Sequence, residues 1–123
     1  MAWDLKGDSP IYLQLIELIK KRILSGEYPA GDRLPPVREL AALASVNPNT
    51  MQKALNELER TGLLFCQRTS GRFITQDQSM IQNLRKDMAK NHARIFLNQM
   101  IDIGYTPPET IELLGDISRR DCE

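Results

Sequence analysis

Two short stretches of helical periodicity stand almost end to end, with only Ser45-Val46 between the apolar stripe of the first and the cap of the second. The first stretch repeats Val37, Leu40, Ala41 and Ala44. The second opens on Asn47-Pro48 and repeats Met51, Ala54, Leu55 and Leu58. Asparagine is a good helix N-cap, and proline suits the first helical position because the N–H it lacks would be unpaired there. So tight a turn fixes the crossing of the two helices and makes the second stand out from the body.

The flanking segments complete a plan. Ser9-Pro10 opens a first helix by the same cap-plus-proline logic, and Tyr12, Leu15, Ile16, Ile19 and Ile23 recur at helical spacing. Lys20, Lys21 and Arg22 fall in its last turn, where cations favour the helix dipole, and Ser25-Gly26 ends it. A turn-rich link, Glu27 to Arg33, leads to Leu34-Pro35-Pro36, which starts the second helix. Thr61-Gly62 ends the third, and the period then changes. Leu63-Leu64-Phe65-Cys66-Gln67 and Arg72-Phe73-Ile74-Thr75 are β-compatible runs around a hairpin turn at Thr69-Ser70-Gly71. Helical period returns from Asp77 to about Ile103, Gly104 closes it, and Thr106-Pro107-Pro108-Glu109 starts a last short helix. The expected fold class is mainly α with a small β-hairpin. A winged helix-turn-helix over residues 1–75 is followed by a helical tail over residues 76–123.

Bulk properties narrow the function. At 123 residues, 41% apolar and 26% charged, the chain has the composition of a soluble globular protein. No apolar run reaches the roughly 20 residues that span a bilayer, and no signal peptide is evident at the N-terminus. Cys66 and Cys122 lack metal-type spacing, so a reduced, cytoplasmic protein with no metal site is expected. No glycine-rich phosphate loop, paired carboxylates or Cys–His or Ser–His pair suggests catalysis, so neither catalytic residues nor a cofactor are expected. The net charge is zero, but residues 1–75 carry +2 (ten basic, eight acidic) and residues 76–123 carry −2 (six basic, eight acidic). Arg33, Arg38, Lys53, Arg68 and Arg72 lie mid-chain, and whether they share a face matters more than the total.

The third helix carries the chemistry. Its apolar face leaves Asn49, Thr50, Gln52 and Lys53 free near its N-terminus. These groups donate and accept hydrogen bonds to base edges and phosphates, and a helix N-terminus favours a phosphate. Taken singly, each is an ordinary solvated residue; with the turn and hairpin, they indicate a helix entering a major groove. The rival is a winged-helix module for protein–protein contact, but such a face should carry aromatic or apolar anchors, and this one does not.

Several ordered segments resemble GntR-type regulators: Pro10 to Leu15, Gly31 to Ala41, Val46 to Ala54 and Leu58 to Leu64. The resemblance covers roughly residues 9–75 and implies roles. Arg38 matches the family's DNA-contacting arginine. Asn47, Asn49, Thr50 and Gln52 match recognition-helix positions, and Lys53 is placed for a phosphate. The wing tip, Arg68, Thr69, Ser70 and Gly71, would meet the minor groove or the backbone. Two positions depart from the family's pattern: Pro36 stands where serine is common, and the wing lacks one glycine of an Arg-Gly-x-Gly pattern.

About 48 residues follow the wing, too few to enclose a drug-sized pocket in one subunit. A short two-helix tail resembles the YtrA-type branch, in which the tail serves dimerisation. Ile81, Leu84, Met88, Ile95 and Met100 form a stripe suited to a helix–helix seam, part of it folding back on the winged helix. His92, the one histidine, is placed at that seam rather than on a metal. The expected partners are double-stranded operator DNA read as an inverted repeat and a second copy of the chain, with an unidentified small-molecule effector left open. Repression is the family default.

Overall fold

The third helix is central because its one apolar face serves three neighbours. The structure, a computed structural model, describes residues 3–121. Its elements are α1 (Ile11–Leu24), α2 (Val37–Ala44), α3 (Pro48–Arg60), β1 (Leu64–Gln67), β2 (Gly71–Ile74), α4 (Gln78–Asp102) and α5 (Pro107–Asp121). Met51, Ala54, Leu55 and Leu58 of α3 are all buried, and α1, α2 and β1 pack against this helix. Leu15 and Ile19 of α1, Leu40 of α2, Leu64 of β1 and Ile74 of β2 complete the core. Each such side chain contributes about 1.5–3 kcal/mol by leaving water.

The turn between α2 and α3 is as tight as the sequence demands. Ser45 adopts a left-handed conformation, φ 57°, and its N–H reaches the carbonyls of Ala41 and Ala42. The Val46 N–H then bonds Ala41 O at 3.0 Å. This left-handed ending satisfies the last carbonyls of α2 and turns the chain. Asn47 caps α3, accepting from the Asn49 N–H at 2.8 Å, with Pro48 at the first helical position.

Two helix starts differ from expectation. Ser9 does not cap α1; Pro10 holds the cap position in an extended conformation and makes no side-chain cap bond. The Ser9 carbonyl instead accepts the Gln14 side chain at 2.9 Å, which also brackets Lys6 through both of its amide atoms. Leu34-Pro35-Pro36 does not begin α2 as helix, since the helix starts at Val37. Leu34 is drawn into the sheet: its N–H donates to Arg72 O at 2.8 Å, and Ile74 N–H donates to Asp32 O at 2.9 Å. A bridge from Arg33 to Phe73 makes this link a rudimentary strand along β2. Its Gly and Asp content hid that pairing, because it has no apolar alternation to display.

β1 and β2 form the hairpin in antiparallel register, Leu64 opposite Ile74, Phe65 opposite Phe73, Cys66 opposite Arg72 and Gln67 opposite Gly71. Leu64 and Ile74 face the core, while Phe65 and Phe73 stack on the other face with ring centroids 5.7 Å apart. Arg68, Thr69 and Ser70 form the tip.

The chain divides into two compact units, Met1–Gln82 and Asn83–Glu123. α4 begins in the first, where Asp77 caps it by accepting from the Met80 N–H at 3.2 Å. In the second unit, α4 ends at Gly104, φ 97°, with Tyr105 N–H bonded to Met100 O at 3.0 Å. α5 runs to Asp121, beyond the short helix expected. Thr106 and Glu109 form a reciprocal capping box, and Arg119 and Arg120 occupy the last turn. No described helix is long and apolar enough to cross a membrane.

Candidate nucleic-acid interface

α3 is amphipathic in a way that leaves one whole face to solvent. Opposite its buried stripe, Asn49, Lys53, Asn56 and Arg60 are exposed, and Gln52 is half-buried beside them. Arg38, on α2, is also exposed. It forms no ion pair among the described residues, neither with the adjacent Glu39 nor with Glu57, which is engaged elsewhere. Glu57 takes Arg60 at 2.9 Å; that hydrogen bond and the guanidinium charge hold its carboxyl below the ordinary range.

The other expected residues divide by role. Asn47 is exposed, but its side-chain oxygen is engaged in capping, leaving its amide N–H groups outward. Thr50 is half-buried, and its N–H is bonded to Asn47 O at 3.0 Å. Lys53 does not extend freely into solvent: its ammonium lies 3.8 Å from the centroid of the Tyr12 ring. A cation over an aromatic face gains about 0.5–1 kcal/mol at an exposed site, little enough for a phosphate to reclaim the ammonium. In the wing, Arg68 and Thr69 are exposed, and Ser70 and Gly71 half-buried.

Gly71 is not part of the turn itself but the first residue of β2, at φ 102°. A Cβ there would come within 3.2 Å of the Arg33 guanidinium, which lies against the tip end of the hairpin. Arg72 reaches the other way. Its Nε donates to Glu59 on α3, and its Nη2 donates to Asn56 Oδ1 at 3.3 Å. The same Asn56 oxygen accepts from Gln52 Nε2 at 3.0 Å. The hairpin is thus pinned to the recognition-helix face by side chains as well as by the core.

The sequence names Arg33 and Arg72 only as mid-chain cations and Tyr12 only as part of a helical stripe, and it does not single out Asn56. Asn56 follows Gln52 by four residues, the spacing at which helical side chains meet, so a signal for that pair existed. The bond from Arg72 to Glu59 crosses from strand to helix and leaves no such trace. Arg22, read as a helix-dipole cation, is only 4% exposed; it pairs with Glu27 at 2.5 Å and lies 4.1 Å from the Trp3 ring centroid, a structural role away from this surface. Among the described residues, no group of three or more His, Cys, Asp or Glu is arranged to hold a metal.

The family model for bacterial regulatory proteins of the gntR family matches residues 11–74, the stretch that builds this surface. The chain belongs to the gntR family. Its members among the relatives are transcriptional regulators rather than enzymes, and this chain is a DNA-binding regulator of that winged-helix kind. An uncharacterised HTH-type transcriptional regulator of Bacillus subtilis, YhcF, is 36% identical over 107 residues, covering 87% of this chain and 88% of that one. The HTH-type transcriptional repressor YtrA of the same organism is 43% identical over 74 residues, 60% of this chain and 57% of the repressor. Among solved structures, a GntR family regulator from Listeria monocytogenes superposes with a TM-score of 0.84 at 36% identity, covering 91% of this chain and 98% of that one. The DNA-binding domain of AraR, solved in complex with operator ORX1, has a TM-score of 0.54 at 27% identity, over 58% of this chain and 93% of that one. The YtrA-like assignment within the gntR family stands on these relatives.

Proposed function

We propose that this regulator binds an inverted-repeat operator as a cytoplasmic homodimer and represses the adjacent genes. The observation that carries the reading is the outward face of α3, a row of amide and cationic side chains held between α1 and the wing. In this reading residues 1–75 are the DNA-binding domain. Arg38 and Gln52 contact bases, Asn47, Asn49 and Thr50 contact base edges or phosphate, and Lys53 leaves Tyr12 for a phosphate. Arg68, Thr69, Ser70 and Gly71 lie against the neighbouring backbone or minor groove. The operator complexes of the AraR domain and the repressor name of YtrA support operator binding and repression.

Residues 76–123 are proposed as the dimerisation and effector tail. The support is its lack of a core: among the described residues from 83 onward, Thr110 alone is buried. Ile95, Phe96, Ile101, Ile111, Leu114 and Ile117 are exposed, Ile111 to 70%. A unit this small does not normally stand alone with its apolar side chains in water. Within the expected seam Leu84, Met88 and Met100 are half-buried and Ile95 exposed, whereas Ile81 is 8% exposed and belongs to the first unit. The seam proposed is therefore Leu84, Met88, Ile95 and Met100, with Ile81 anchoring the start of α4.

Band-shift titration against the chain's own promoter region tests the proposal. Preference for that region over random duplex is expected, and Arg38→Ala should weaken it about tenfold or more, the loss typical of one good base contact. Equal affinity for promoter and random DNA would defeat the reading.

A further inference from the structure

The bonds that join the wing to α3 have a fixed polarity. An arginine has no acceptor and an ionised carboxylate has no donor. Arg72 must therefore present N–H groups to both Glu59 and Asn56, and it is the carbonyl oxygen of Asn56 that turns toward it. That oxygen is then the only group that Gln52 meets there, so Gln52 must offer its amide nitrogen. The chain reads Glu59 accepting from Arg72, Arg72 donating to Asn56, and Asn56 accepting from Gln52. No link in it can be reversed by rotating an amide.

The consequence falls on Gln52. One of its two N–H groups is engaged by Asn56. Its carbonyl oxygen and its second N–H remain, and these are the two groups that a bidentate contact to adenine N6 and N7 requires. Gln52 stands one turn from the start of α3, where recognition-helix residues approach base edges. A glutamine free to rotate would lose side-chain freedom on binding and would present its oxygen and nitrogen interchangeably. One held by its own protein has already lost much of that freedom and offers a single orientation.

We infer that Asn56, Arg72 and Glu59 are positioning residues that preset Gln52 to read an adenine, so that the wing strand sets specificity at a base it does not touch. The inference rests on the reading of Gln52 as a base-contacting residue. It assigns the outward side chains of α3 and the tip-side half of β2 to one device: Arg72 is held by Glu59, and through Asn56 it fixes which way Gln52 points.

The test uses the whole 123-residue chain and duplexes that the wild type selects from a randomised library, each then varied one base pair at a time. Gln52→Ala should lower discrimination at one A·T position by about tenfold, with the others kept. Asn56→Ala should lower discrimination at that same position by about three- to tenfold, and the double variant should fall no further than Gln52→Ala. Asn56→Asp keeps an acceptor for both Gln52 and Arg72, so it should weaken binding on every duplex through its charge while preserving the base preference. If Gln52→Ala alters no position, both the base contact and the relay are overturned. If Gln52→Ala relaxes one position but Asn56→Ala leaves it intact, or weakens all duplexes equally, the relay alone is overturned. Unchanged thermal unfolding of Asn56→Ala, an exposed position, separates these results from misfolding.

Discussion

Ser45 and Gly71 both have positive φ, at 57° and 102°, and the two positions set opposite demands. Ser45 lies in the left-handed helical well, where an L-residue pays about 1–2 kcal/mol. Glycine there escapes that strain but loses more chain entropy on folding, about 0.5–1 kcal/mol. The first effect is the larger, so Ser45→Gly is expected to stabilise the protein by about 0.5–1 kcal/mol. Gly71 lies outside that well, and any Cβ would also press on the Arg33 guanidinium. The guanidinium is the far end of a flexible chain and can move, whereas the backbone strain, of order 1–3 kcal/mol, cannot be relieved that way. Gly71→Ala should therefore destabilise by about that amount. Thermal unfolding of the two variants beside the wild type checks both signs, and equal shifts in the same direction would contradict the argument.

At the level of elements, caps decide where helices begin, and one of them titrates. Glu109 accepts the Thr106 N–H at 2.9 Å, and the bonds from the Thr106 backbone and side chain lower its carboxyl from the ordinary 4.5. A carboxyl lowered by folding stabilises the fold above its unfolded value, and that contribution is lost as pH falls through the lower, folded value. The capping box of α5 is thus complete at neutral pH and opens only below pH 4.5. Glu109→Ala should loosen the first turn of α5 at pH 7, seen as faster amide exchange there, and the difference from wild type should shrink as pH falls below 4.5. A difference that stays constant through that acid range would assign the effect to helix propensity instead.

The same elements show what a reader of the sequence sees. Asn47-Pro48, Gly104 and Thr106 with Glu109 carry cap chemistry in the residues themselves, and the structure uses them as read. Pro10 follows a cap residue, Ser9, as Pro48 follows Asn47, and Pro36 follows only Pro35, yet Pro10 and Pro36 alike sit at the cap position of their helices without a side-chain cap. The difference comes from competing partners: Gln14, five residues on, takes the Ser9 carbonyl, and β2, distant in sequence, takes Leu34. The interface divides likewise. Its helix face was visible because a 3.6-residue period exposes Asn49, Gln52 and Lys53, while the Tyr12, Arg33 and Arg72 contacts join separate elements and depend on the finished fold.

On the scale of the whole molecule, the charges raise the question of how a neutral chain holds a polyanion. The sequence has 16 basic and 16 acidic residues. Several basic groups are already neutralised internally: Arg22 by Glu27, Arg60 by Glu57, Arg72 by Glu59 and Arg119 by Asp116. Arg33, Arg38, Lys53 and Arg68 have no acidic partner among the described residues and are the cations available to phosphates near the interface. Four cations make a weak site, but a dimer presents eight. Each neutralised phosphate contributes about −0.9 to the slope of log affinity against log salt, so a bound dimer should show a slope of about −7 and a single subunit about half that. The apolar tail is what would join the two copies, and it can be broken without touching the DNA surface. Introducing a charge on the seam, with Leu84→Asp and Ile95→Asp together, should yield a monomer in sedimentation at micromolar concentration while the winged helix unfolds as before. Its operator affinity should drop steeply, and its salt slope should fall to the single-subunit value. A variant that sediments as a monomer yet keeps the full affinity and slope would show that one subunit holds the operator unaided, and the dimer would then have no part in recognition.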